Sequence, residues 1–101
     1  MPDERKQHIT EALGGNLIPP MTHEERKERE RVFNMIQGVA TRYNSLVNLE
    51  TDEERRADLI AQRAHYDEEF RRQNSMSAAE RQEVLRTYPE ILAQLRAQLG
   101  E

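Results

Sequence analysis

A chain of 101 residues has room for one domain, and its composition is 36% hydrophobic and 34% charged with a net charge of −4. The absence of cysteine excludes disulfides, thiolate catalysis and cysteine-ligated zinc or iron–sulfur sites. No apolar run approaches the roughly 20 residues of a membrane span, and Met1-Pro2-Asp3-Glu4-Arg5 lacks the basic-then-apolar order of a signal peptide, so a cytoplasmic location is expected.

Leu, Ile, Val and Phe together number only 20, a composition that borders on disorder. The low net charge and the interleaving of 15 bases with 19 acids favour a folded chain. The core should then be thin, and an oligomer or partner would help to stabilise it.

Residues 1–20 read as a flexible or partner-docking arm ahead of a single helical domain over 21–101. Pro2 to Leu13 can form a short helix stopped at Gly14. Asn16-Leu17-Ile18-Pro19-Pro20 must be extended, because each proline lacks an amide and restrains its predecessor. Leu17 and Ile18 are therefore candidate partner-binding residues.

Four segments match the helix-capping box: Thr22 to Glu25, Thr51 to Glu54, Ser77 to Glu80 and Thr87 to Glu90. In this box the hydroxyl accepts from the amide three residues on, and the glutamate reaches back to the amide of the cap. Their recurrence sets the fold class as all-α.

The first long helix is expected over about 23–48. Val32, Phe33, Ile36, Val39, Ala40, Tyr43, Leu46 and Val47 form an apolar stripe at helical period, whereas the charged turns Glu24 to Arg31 should project beyond the core. Gly38, inside the stripe, suggests a close helix crossing.

The second helix, about 52–73, is apolar on two sides. Ala57, Ile60, Ala61 and Ala64 share one face; Leu59, Tyr66 and Phe70 lie nearly opposite, with Arg63 among them. Such a helix is sandwiched. The small face should approach the first helix, leaving Leu59, Arg63, Tyr66 and Phe70 for the C-terminal helices or another chain. These four complete the candidate partner-binding set.

Beyond Asn74-Ser75, a helix over about 78–87 carries Val84 and Leu85, and Ile91, Leu92, Leu95 and Leu99 form a second stripe ending at Gly100. Pro89 disfavours helix at Tyr88 but suits a new first turn, so both two short C-terminal helices and one kinked helix fit. The architecture expected is a small bundle built on a long antiparallel helical hairpin and closed by short C-terminal helices.

Little catalytic or ligand chemistry is legible. His65 with Glu69, and Glu4 with His8, could each offer two metal ligands, but a structural zinc needs four. Asp67-Glu68-Glu69 and Glu53-Glu54 adjoin arginines and read as a solvated face laced with ion pairs. No nucleophile elbow, phosphate-cradling glycine loop or dinucleotide fingerprint is present. The expectation is a non-enzymatic protein–protein interaction module without metal or cofactor, acting as a small accessory or regulatory subunit, the homodimer included. The alternative is a nucleic-acid-binding regulator using Arg55, Arg56, Arg63, Arg71 and Arg72, which the acidic pI of about 5.4 disfavours.

Overall fold

The computed structural model describes residues 21–101, which are 86% helical and contain no strand. Three helices pack together: α1 (His23–Leu49), α2 (Glu53–Arg71) and α3 (Ala78–Gln98), with a 3-10 turn at Gln73–Ser75 between the last two. No helix among the described residues is long and apolar enough to cross a membrane.

Each start is set by local capping chemistry, though not always by the expected residue. Thr22 Oγ1 accepts from the Glu25 amide at 3.0 Å and opens α1. Asp52 rather than Thr51 caps α2, its carboxylate accepting from the Arg55 amide at 2.9 Å. Both residues are good caps, and the anionic one also gains from the positive end of the helix dipole. The reciprocal capping box forms at α3, where the Ser77 hydroxyl and the Glu80 carboxylate each accept from the other residue's amide at 3.2 Å.

In place of the short C-terminal helices of the expected bundle stands one 21-residue helix with Pro89 inside it, the other arrangement that the sequence allows. The Thr87 hydroxyl does not cap a new start; it donates to the Glu83 carbonyl one turn back at 2.8 Å. Tyr88 and Leu95, on either side of the proline, are both buried. Burying them on one continuous helix offsets the hydrogen bond that Pro89 removes. Gly100 adopts φ 75°, and the amides of Glu101 and Gly100 donate to the carbonyls of Arg96 and Ala97. This Schellman arrangement ends α3.

α1 is the central element. Its buried Val32, Ile36, Val39 and Tyr43 meet Met76, Val84, Tyr88 and Leu95 to make the core. α2 buries no residue completely and adds the half-buried Leu59, Tyr66 and Phe70. The charged N-terminal turns of α1 do not project free: Arg29 donates to the Asn74 carbonyl at 3.4 Å, and Arg81 of α3 reaches Glu28 at 2.6 Å. Gly38 faces Leu92, but a Cβ added there would lie 3.6 Å from the leucine methyl. That is ordinary contact distance, so the crossing does not demand glycine.

Candidate interaction surfaces

The two faces of α2 are used in the reverse of the expected sense. Tyr66 stacks on Tyr43 of α1 with ring centroids 5.1 Å apart, and meets Tyr88 of α3 edge-on at 5.5 Å. Phe70 tilts against Phe33 of α1 at 5.1 Å, and Leu59 packs on the same core. Arg63 donates to Asn44 Oδ1 at 2.9 Å across the rim of this contact. The large apolar side chains face inward because an aromatic buries roughly 150–250 Å², far more than an alanine offers. Ala57, Ile60, Ala61 and Ala64 are left on the outside, with Ile60 39% exposed. Leu17 and Ile18 lie outside the described residues.

The aromatic cluster shifts the phenols it holds. Burial, aided by the charge of nearby Glu69, pushes the Tyr88 hydroxyl far above the ordinary phenol range. Burial likewise raises Tyr43 and Tyr66.

Several arginines of α2 and α3, and Arg72 just beyond α2, are matched to carboxylates. Arg72 Nε approaches Glu69 at 2.9 Å and its Nη1 approaches Glu80 at 2.7 Å; Arg71 pairs with Glu68 and Arg86 with Glu83. Among the described residues, no group of three or more His, Asp or Glu side chains is placed to hold a metal ion.

A second surface escaped the sequence reading. A groove of about 600 Å³ opens where the N-terminal half of α1 meets the 3-10 turn. Val32 lies at its base, Met21 and Phe33 remain 44% and 37% exposed beside it, and Arg26 and Arg29 contribute its charge. Phe33 sits within the periodic stripe of α1, so periodicity alone assigned it to the core. Its position at the edge of the stripe was the one available signal. The part played by Asn74, 45 residues from Arg29, had no local signature at all.

No protein-family model, curated protein or solved structure matches this chain.

Proposed function

We infer that this chain is a non-enzymatic protein–protein interaction module, a small accessory or regulatory helical subunit of the cytoplasm. The observation that carries this reading is the bare outer face of α2. Its apolar stripe of Ala57, Ile60, Ala61 and Ala64 is exposed, while the same helix has no fully buried residue to anchor it. A helix so lightly held gains from a second molecule laid along it.

The order of the contacts, Asn44 with Arg63, Tyr43 with Tyr66 and Phe33 with Phe70, supports an antiparallel hairpin of α1 and α2 beneath that face. A second copy is the occupant to test first, because closed twofold dimers dominate soluble assemblies. Carboxylates that pair with Arg71, Arg72 and Arg86 support a protein partner over nucleic acid, since phosphate contact at these three would have to displace them.

The experiment is sedimentation equilibrium of the wild type and Ile60→Glu over a wide concentration range. Self-association that Ile60→Glu abolishes supports the reading. A wild type that stays monomeric at high micromolar concentration removes the homodimer.

A further inference from the structure

The buried residues are not shared evenly among the three helices. Val32, Ile36, Val39, Tyr43 and Val47 lie on α1, and Arg81, Val84, Tyr88 and Leu95 on α3, with Met76 just ahead of it; none lies on α2. α1 and α3 are also fastened to each other at both ends. Arg81 and Gln82 reach Glu28 at 2.6 and 2.7 Å at one end, and Arg42 reaches Glu101 at 3.1 Å at the other. None of these ties involves α2.

α2 is held differently. Half-buried side chains on one face attach it: Tyr66 against Tyr43 and Tyr88, Phe70 against Phe33, and Leu59. Its polar ties are Arg63 to Asn44 at 2.9 Å and, just past its end, Arg72 to Glu80 at 2.7 Å. Both are open to water, where such contacts contribute little.

We propose that α2 is a strap that opens as one unit, hinged at residues 50–52 and 72–77, while α1 and α3 stay packed. A segment with few buried apolar contacts and a solvent-facing backbone opens at a lower free energy than the core it lies on. Opening separates Tyr66 and Phe70 from their partners and uncovers one side of Tyr43 and Tyr88, but leaves both ends of the α1–α3 pair tied. Once detached, α2 loses the packing from which a helix in a protein draws most of its stability, so its amides become open to water. The device needs no partner and stands apart from the interaction reading above.

The test is hydrogen exchange of the full chain, read by mass spectrometry of peptic fragments at several urea concentrations below the unfolding transition. Dilute protein keeps the result separate from self-association. The best-protected amides of α2 should exchange about tenfold or more faster than those of α1 and α3. Their acceleration by urea should be shared along α2, with a smaller slope than global unfolding, because less surface is exposed. Arg81→Met cuts one tie between α1 and α3 and none to α2. It should speed the slowest amides of α1 and α3 about a hundredfold, equivalent to about 3 kcal/mol, and those of α2 clearly less. Equal protection of the three helices, or equal acceleration of all three in Arg81→Met, overturns the proposal. Exchange in α2 that is graded inward from its ends and insensitive to urea also overturns it, because that is fraying and not opening as a unit.

Discussion

Arg81 of α3 donates from Nε to Glu28 of α1 at 2.6 Å, and from Nη1 to the Met76 carbonyl at 2.9 Å, with its side chain only 7% exposed. This contact fastens the outer end of α1, which the sequence suggests should stand free, to the start of α3. Removing one partner of a buried pair leaves the other uncompensated, at about 3–5 kcal/mol. Glu28 is 19% exposed and can partly rehydrate, so Arg81→Met should cost about 3 kcal/mol, read from urea denaturation.

The same pair makes stability depend on pH. The hydrogen bond from Arg81 holds the Glu28 carboxyl below its ordinary range. A carboxyl with a lower pKa folded than unfolded stabilises fully above the unfolded value of about 4.3, and that contribution is lost as pH falls through the folded one. Wild type should therefore lose stability on acidification below about pH 5, and Arg81→Met should lose measurably less over the same interval. Parallel acid titrations of the two melts check this.

Phe70→Ala tests which face of α2 is inward. Truncating a fully buried Phe costs about 3–5 kcal/mol; Phe70 is half-buried against Phe33, so about 2 kcal/mol is expected. The loss should show in the melt of dilute protein. An unchanged melt would place Phe70 outside the fold.

All-α class, the extents of the first two helices and the stop at Gly100 were legible because each has a local cause: a cap, a 3.6-residue period, a glycine after the last turn. The choice between the two faces of α2 was not. Ala57, Ile60, Ala61 and Ala64 are as regular as Leu59, Tyr66 and Phe70, and only the aromatic partners on α1 and α3 decide which face turns inward. The continuity of α3 was hidden for the same reason. Pro89 is a local break signal, and the burial of Tyr88 and Leu95 that overrides it is tertiary. Arg81 reads as one of many surface arginines until Glu28, 53 residues away, is brought to it.

Pro89→Ala should stabilise the chain. The proline is exposed, so little packing is lost, and an alanine restores one intrahelical hydrogen bond and removes the ring clash. Set against the smaller unfolded-state entropy of proline, the net gain should be about 1–2 kcal/mol. Denaturant titration at constant slope checks it. A loss would mean that Tyr88 and Leu95 need the proline's bend to reach their sites.

Gly38→Ala should also stabilise, by about 0.5–1 kcal/mol, since alanine is the better helix former and its methyl meets Leu92 at ordinary contact distance. A fall in the melting temperature would show that α1 and α3 cross more tightly at this point.

The chain contains no cysteine, so a single thiol placed on the outer face of α2 reports its cover without background. The measurement is the labelling rate of Ala61→Cys by a soluble maleimide in dilute and in concentrated protein. An open face in the isolated chain requires labelling close to that of a free thiol when dilute, and a second molecule on that face requires marked slowing when concentrated. Protection at high dilution would contradict the inward placement of Tyr66 and Phe70, and fast labelling at every concentration would contradict self-association through α2.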